Sequence, residues 1–190
     1  RAPCVKNANR IRDLSFWKHR MLTIRPEQPA DAAAIFEVHR AAFPTDAEAR
    51  LVDRLRAHAN ARVSLVAVVD ELIVGHIVFS PVSLVTPAAA IAGLGLAPLA
   101  VLPAHQRRGI GSTLVREGLA VCRQLACPFV VVLGHPAYYP RFGFGRANAL
   151  GITNEYQVDE QFMIRELAPG SLPVGGGLVR YGPEFAELAR

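Results

Sequence analysis

The apolar positions of the chain recur with two different periods. Apolar residues at every third or fourth position predict amphipathic helices over residues 32–43, 47–59 and 109–125. Alternating or continuous apolar runs rich in β-branched residues predict strands over residues 21–25, 64–69, 72–79, 94–102, 129–133, 162–167 and 178–181. This order of elements predicts an α/β fold, a single domain with a mixed central sheet and helices on both faces.

Two details of the pattern constrain the sheet. Asp70 and Glu71 alone separate the second predicted strand from the third, which predicts an antiparallel hairpin. The run Phe129–Leu133 is apolar throughout, as is typical of a central strand covered on both faces.

Asp31 is predicted to cap the first helix.

Composition supports one folded domain of ordinary size. The chain has 190 residues, of which 51% are hydrophobic and 19% charged. This apolar content excludes a disordered chain, and no apolar run is long and clean enough to span a bilayer, so no membrane partner is expected.

The net charge of +5 is concentrated at one end of the chain. Residues 1–20 contain six basic side chains and one acidic one, whereas residues 21–190 contain 15 of each and are neutral. Residues 1–20 are therefore predicted to be a basic N-terminal extension outside the fold, and residues 21–190 the domain. Because the domain has no basic excess, we expect no nucleic-acid partner.

Cysteine and histidine spacing favours a metal-free protein of a reducing compartment. The cysteines, Cys4, Cys122 and Cys127, form no CxxC pair, and the six histidines form no HxH or HxxxH pair. With no recognisable signal peptide, this predicts a cytoplasmic location. Cys122 and Cys127 are predicted to be core residues.

The chemically informative segment is a glycine-containing turn between a strand and the longest helix. Its sequence, QRRGIG, covers residues 106–111. A helix N-terminus presents unpaired amides to an anion, and Gly109 and Gly111 let backbone approach it closely. A P-loop is excluded because no lysine follows Lys18, and the spacing also departs from GxGxxG. The turn is predicted to bind a pyrophosphate.

Two segments resemble those of a known family. The stretch LAVLPAHQRRGIGSTLV (residues 99–115) resembles the acyl-CoA signature of the GNAT superfamily of N-acetyltransferases, [QR]xxGx[GA] after a strand. The stretch VVLGHPAYYPRFGF (residues 131–144) resembles its second cofactor region, as in a bacterial subfamily of predicted acetyltransferases. The resemblance extends over residues 21–185.

The resemblance implies a GNAT-like fold whose strands splay at the acyl-CoA site, with acetyl-CoA as cosubstrate. The strand backbone would pair with the pantetheine arm, and the turn amides would bind the pyrophosphate. The implied cofactor-binding residues are Leu99, Ala100, Val101, Gln106, Arg107, Arg108, Gly109, Ile110, Gly111 and Ser112.

The resemblance also implies a catalytic tyrosine. Aligning residues 138–144 with the family phrase FYEKLGF places Tyr139 where a general acid protonates the CoA thiolate. Pro140 departs from the phrase and disfavours helical geometry at Tyr139, so Tyr138 is the alternative.

The general base is left open. Many relatives have a glutamate on the strand before the glycine turn, but residues 94–101 contain no acid. Glu48, His76, His135 and a water relay are the candidates.

The predicted function is transfer of an acetyl group from acetyl-CoA to a primary amine of a small molecule or protein, by direct attack in a ternary complex. The alternative from another class is a non-catalytic acyl-CoA sensor, which the missing strand glutamate favours and the tyrosine opposes. The acceptor, the acyl chain and the oligomeric state, including a homodimer, are left open.

Overall fold

The predicted antiparallel hairpin is part of a nine-stranded sheet. The computed structural model describes residues 21–187, so the predicted basic extension and Cys4 lie outside the described residues. The helices are α1 (Ala32–Ala42), α2 (Ala47–Ala57) and α3 (Ile110–Gln124). The strands are β1 (Leu22–Pro26), β2 (Val63–Val69), β3 (Leu72–Val85), β4 (Ala90–Val101), β5 (Phe129–Leu133), β6 (Gly145–Arg146), β7 (Ile152–Asn154), β8 (Phe162–Glu166) and β9 (Gly177–Tyr181).

The sheet is mixed. Its order is β1-β2-β3-β4-β5-β8-β6, while β9 pairs with the end of β3 and with β7. The pairing of β4 with β5 is parallel, as is that of β7 with β9. Neighbours along the main path are otherwise antiparallel.

Helices cover both faces of the sheet. Because side chains of a strand point alternately to the two faces, those of β2 enter two different cores. One core joins α3 to the face of β2 that carries Val63, Leu65, Ala67 and Val69. The other joins α1 and α2 to Val66, with Val78 from β3 and Ala100 from β4. The predicted fold class is therefore confirmed.

Strands β4 and β5 separate at the middle of the sheet. Their register runs from Leu94 opposite Val130 to Leu96 opposite Val132. Beyond Leu96, β4 continues to Val101 with β3 as its neighbour, and β5 ends at Leu133. Within residues 21–187, the backbone of residues 97–101 thus lacks a strand partner on the side of β5, as the expectation of splayed strands requires.

Several local predictions are corrected. Asp31 does not cap α1 with its side chain; its carboxylate instead binds the Arg25 guanidinium, at 2.6 and 3.0 Å, and accepts from the Gln28 amide. Strand β3 extends beyond the predicted end at Phe79 to Val85, because it gains β9 as a partner there. Strands β6 and β7 were not predicted, since two and three residues are too few to show a period.

Cys122 and Cys127 lie in the core and form no disulfide with each other. Burial raises the pKa of Cys122 to about 12 and also raises that of Cys127, so both thiols stay protonated and unreactive. No helix within residues 21–187 has the length and apolar character needed to cross a membrane.

Candidate active site

The glycine turn adopts a conformation suited to an anion. Arg107 and Gly109 both have positive φ, at 59° and 84°, and Gly109 is the residue that precedes α3. Left-handed residues in such a turn direct successive amides toward one point, and the first-turn amides of a helix have no intrahelical acceptor. The helix dipole adds partial positive charge at the same place.

Hydrogen bonds fix this turn to the neighbouring elements. Gln106 donates its Nε2 to the carbonyl oxygen of Val101 at 3.0 Å, which connects the turn to the end of β4. The carbonyl of Gly109 accepts from both the amide and the hydroxyl of Thr113, at 2.9 and 3.2 Å. The turn is therefore a preformed part of the fold.

A cavity of about 500 Å³, called here the loop cavity, lies over the turn. Most of the predicted cofactor-binding residues line it: Leu99, Val101, Gln106, Arg107, Gly109, Ile110, Gly111 and Ser112. Ala100 and Arg108 are not among its lining residues, and the Ala100 side chain enters the opposite core with α1 and α2. His105, Tyr138 and Arg141 line it as well.

A second cavity, of about 1010 Å³ and called here the central cavity, lies where β4 and β5 separate. It shares Leu99 and Tyr138 with the loop cavity, so the two are adjacent. Its remaining walls come from the α1–α2 region, the ends of β4 and β5, the tyrosine turn and the C-terminal strands. They are Phe43, Glu48, Leu96, Ala97, Pro98, Leu133, Gly134, His135, Tyr139, Glu155, Tyr156, Val158, Tyr181 and Phe185.

The two tyrosines of the predicted acid position lie differently. Tyr139 is 8% exposed, lines the central cavity, and its ring lies so close to Gly134 that a Cβ there would meet ring carbon Cε2 at 2.2 Å. Tyr138 lines both cavities, and its hydroxyl lies 3.4 Å from Ser112 Oγ at the start of α3. Burial, with Tyr138 beside it, raises the pKa of Tyr139, so that its hydroxyl stays protonated at neutral pH.

The central cavity contains carboxylates but no basic side chain of lysine or arginine among its described lining residues. Glu48 Oε2 is buried without a hydrogen-bond partner in the described part of the chain. Glu155 Oε1 accepts the amide of Tyr181 at 2.7 Å. The cavity therefore favours a cation.

Aromatic side chains form another wall of the central cavity. The rings of Tyr156, Tyr181 and Phe185 pack together. The centroid of the Tyr181 ring lies 5.4 Å from that of Tyr156 and 5.2 Å from that of Phe185. The Tyr181 hydroxyl is buried and has no partner within residues 21–187, and burial raises its pKa. Tyr156 is distant in sequence from Tyr181 and Phe185, so no local sequence signal marks the cluster.

Of the predicted base candidates, Glu48 and His135 line the central cavity, whereas His76 does not. His76 is fully buried, with its Nδ1 2.8 Å from His39 Nε2 and its Nε2 2.8 Å from Ser64 Oγ. The Ser64 hydroxyl donates to Glu27, which also accepts from Arg56 Nε at 2.5 Å. We call this row the buried histidine network.

The pKa values in the buried histidine network keep both imidazoles neutral. Burial, reinforced by His76, lowers the pKa of His39 to about 3, and burial also lowers the pKa of His76. Burial alone would raise the pKa of Glu27, but hydrogen bonds from His76, Ser64 and Arg56 outweigh it and lower the pKa to about 2. The network therefore contains a fixed carboxylate and two neutral histidines, a structural arrangement.

Comparisons with known proteins agree with this geometry. The family model of the acetyltransferase (GNAT) domain matches residues 23–147. YhbS of Escherichia coli K12, an uncharacterized N-acetyltransferase, is 37% identical over 166 residues, covering 86% of this chain and 98% of YhbS.

Two solved structures share the fold at substantial identity. The crystal structure of Escherichia coli YhbS in complex with CoA is 36% identical, with TM-score 0.81, and covers 87% of this chain and 92% of that one. The crystal structure of a GNAT family acetyltransferase from Brucella melitensis, in complex with acetyl-CoA, is 38% identical, with TM-score 0.73. The match covers 88% of this chain and 99% of that one. The fold, the glycine turn and these matches together show that the chain belongs to the GNAT acetyltransferase family, a family of acyltransferases.

Proposed function

We propose that this protein transfers an acetyl group from acetyl-CoA to the primary amine of a small cationic molecule. The observation that carries the proposal is the contact between the two cavities at Leu99 and Tyr138. At these two residues, the anion site at the N-terminus of α3 adjoins the carboxylate-lined central cavity, which lies in the gap between β4 and β5.

The cosubstrate is assigned to the loop cavity and the open edge of β4. The pyrophosphate would lie on the amides of Arg107 to Ser112, with Gln106 fixing the turn to the strand. The pantetheine arm would follow residues 99–101 as an added strand, because β5 no longer occupies that side. The complexes with CoA and acetyl-CoA of two relatives support this assignment.

The acceptor is assigned to the central cavity. An ammonium group would be attracted by Glu48, whose buried Oε2 lacks a partner among the described residues, and by Glu155. The wall formed by Tyr156, Tyr181 and Phe185 suits an apolar, preferably aromatic, body on that amine. An arylalkylamine combines both properties.

The reaction exchanges a C–S bond for a C–N bond, while the ammonium loses two protons and sulfur gains one. The ammonium loses a proton toward Glu48, directly or through water, and the neutral nitrogen attacks the thioester carbonyl carbon. The new C–N bond forms, the C–S bond breaks, and the departing thiolate receives a proton from the Tyr139 hydroxyl. As the amide forms, the nitrogen loses its second proton, which restores the Tyr139 hydroxyl through water. Of the two protons lost by the ammonium, one is thus matched by the proton taken up by sulfur, and the other is released to solvent from Glu48.

The experiment is acetyl transfer assayed across a panel of amines, with CoA release followed by a thiol reagent. Arylalkylamines should be acetylated with higher kcat/KM than aliphatic amines of equal length, and polyhydroxylated amines should be poor acceptors. Tyr139→Phe should lower kcat by about 10²-fold or more, the usual contribution of a positioned acid. Tyr138→Phe tests the alternative acid and should retain a higher kcat than Tyr139→Phe. Full turnover by Tyr139→Phe would overturn the acid assignment.

A non-catalytic acyl-CoA sensor is the second candidate, since residues 94–101 contain no acid. It predicts tight CoA binding with no acyl transfer to any amine of the panel. Measuring Kd for CoA on the same preparation separates the two functions.

A further inference from the structure

Four arginines surround a cavity that has no role in the proposed bond exchange. This cavity, of about 380 Å³ and called here the arginine pocket, lies beside α3 and the tyrosine turn. Its lining residues are Arg116, Leu119, Arg123, Arg141, Phe142, Gly143 and Arg165.

The arginine pocket has positive charge without compensation. Among the described residues no carboxylate lines it, and none of its arginines forms an ion pair there, whereas Arg25 and Arg56 elsewhere pair with Asp31 and Glu27. Like charges at short range repel, and a cavity with low-dielectric walls concentrates their potential. Burial and then the charge of Arg123 lower the pKa of Arg165. An anion in the pocket would relieve this repulsion.

Three of the four guanidinium groups are held in place by neighbouring groups. Arg165 donates to the carbonyl oxygen of Phe142, and Arg116 lies over the Phe142 ring, 5.6 Å from its centroid. Arg141 lies 4.8 Å from the ring centroid of Tyr138. Gly143, with φ of 81°, leaves space for Arg165, whose Cζ would be 3.3 Å from a Cβ at that position. Such fixed guanidinium forks match phosphate oxygens better than mobile lysines do.

The arginine pocket is next to the loop cavity, because Arg141 lines both. A ligand with its pyrophosphate on the glycine turn can therefore place another phosphate in the arginine pocket. We propose that the arginine pocket is a second phosphate site, which binds a phosphate monoester dianion separately from the pyrophosphate on the glycine turn.

Two sources of that phosphate are compatible with the geometry. One is the 3′-phosphate of CoA itself, in which case the inference rests on the proposed function. The other is free phosphate. Both place the same dianion against the same guanidinium groups, and the experiment distinguishes them.

The first arm measures Kd by calorimetry for CoA and for 3′-dephospho-CoA. Wild type should bind CoA about tenfold or more tightly than dephospho-CoA, as charge-assisted hydrogen bonds imply. In Arg116→Gln/Arg123→Gln the two Kd values should approach each other, with the Kd for dephospho-CoA unchanged. Arg40→Gln, an exposed arginine of α1 that lines neither cavity nor pocket, is the control for loss of charge.

The second arm adds inorganic phosphate to protein saturated with dephospho-CoA and measures Tm. A rise in wild type that the double variant lacks, with equal Kd values for the two nucleotides, would support the site with free phosphate as its ligand. The proposal is overturned if CoA discrimination survives in the double variant, or if wild type shows neither discrimination nor a phosphate-dependent rise. Loss of the proposed function is distinguishable, because acetyl transfer would then be absent from wild type itself.

Discussion

The two glycines of the QRRGIG turn should respond in opposite ways to the same added methyl group. Gly109 has φ of 84°, and a Cβ there would meet nothing within 4 Å. Gly111 is helical, and a Cβ there would lie 3.2 Å from the Tyr138 hydroxyl and 3.6 Å from Val101 Cγ2. The loss in Gly109→Ala therefore comes from backbone conformation alone, while Gly111→Ala changes helix propensity and local packing.

The magnitudes follow from these two environments. A left-handed conformation costs an L-residue about 1–2 kcal/mol, of which reduced freedom of the unfolded chain returns about half. Gly109→Ala should therefore destabilise the CoA-bound protein by about 1 kcal/mol, a fall in Tm of roughly 2–4 °C. Gly111→Ala should stabilise by up to about 1 kcal/mol, because alanine is the better helix former. Its CoA affinity should be retained, since the family signature admits alanine there.

The free protein and the complex need not share the cost of Gly109→Ala equally. If the free turn keeps its conformation, Tm falls with and without CoA. If the free turn relaxes, the cost appears in binding, and about 1 kcal/mol corresponds to a roughly fivefold weaker Kd. Either way, the CoA-saturated protein is the state that loses stability.

The assay is thermal unfolding with and without saturating CoA, together with calorimetric Kd, for wild type and both variants. A CoA-saturated Gly109→Ala protein as stable as wild type would refute the argument from backbone conformation. Equal losses of affinity in Gly109→Ala and Gly111→Ala would refute the separate roles of the two glycines.

Three further predictions test the core, the acceptor site and the pH dependence. Gly118→Ala should lower Tm without changing the Kd for CoA, because its Cβ would lie 2.3 Å from Cε2 of Phe79, and overpacking costs about 1–3 kcal/mol; unaltered unfolding would contradict the tight packing. Glu48→Gln should raise KM for the amine and lower kcat by about tenfold or more while leaving Kd for CoA unchanged, and steady-state kinetics that match wild type would exclude Glu48. The free energy of unfolding should fall as pH drops below 6.5 toward 3. In this range His39 binds a proton in the unfolded chain but not in the folded protein, where its pKa is lowered to about 3. The slope is at most about 1.4 kcal/mol per pH unit for each such histidine, and His39→Gln should reduce it in urea titrations at pH 7 and 5.5.

Much of the fold was predictable because its main elements have strong local patterns. The β2–β3 hairpin, the amphipathic α3 and the apolar β5 each contain enough residues to show a period, and all three are found. The side chain of Asp31 has the right type and position for a helix cap, but Arg25 on β1 binds it instead. Competition from a side chain of another secondary-structure element is invisible to local helix propensity.

The candidate site likewise has one part that the local sequence predicts and other parts that it does not. The glycine turn was predictable because its motif consists of consecutive residues, and the structure shows left-handed conformations at Arg107 and Gly109. The central cavity and the arginine pocket are assembled from separated segments, such as Glu48 with Tyr181, or Arg116 with Arg165. Their members become neighbours only through strand order and helix packing. The sequence therefore indicated Glu48, His135 and the two adjacent tyrosines as candidates, but not Tyr181 or the four arginines.

The most direct test of the proposed acetyl transfer is one reaction mixture of wild-type protein, acetyl-CoA and an arylalkylamine, followed by mass spectrometry. The account predicts N-acetylated amine and free CoA in equal amounts, formed at a rate that depends on the enzyme and is lowered by about 10²-fold or more in Tyr139→Phe. Tight binding of CoA with no acetylated product from any amine of the panel would contradict it.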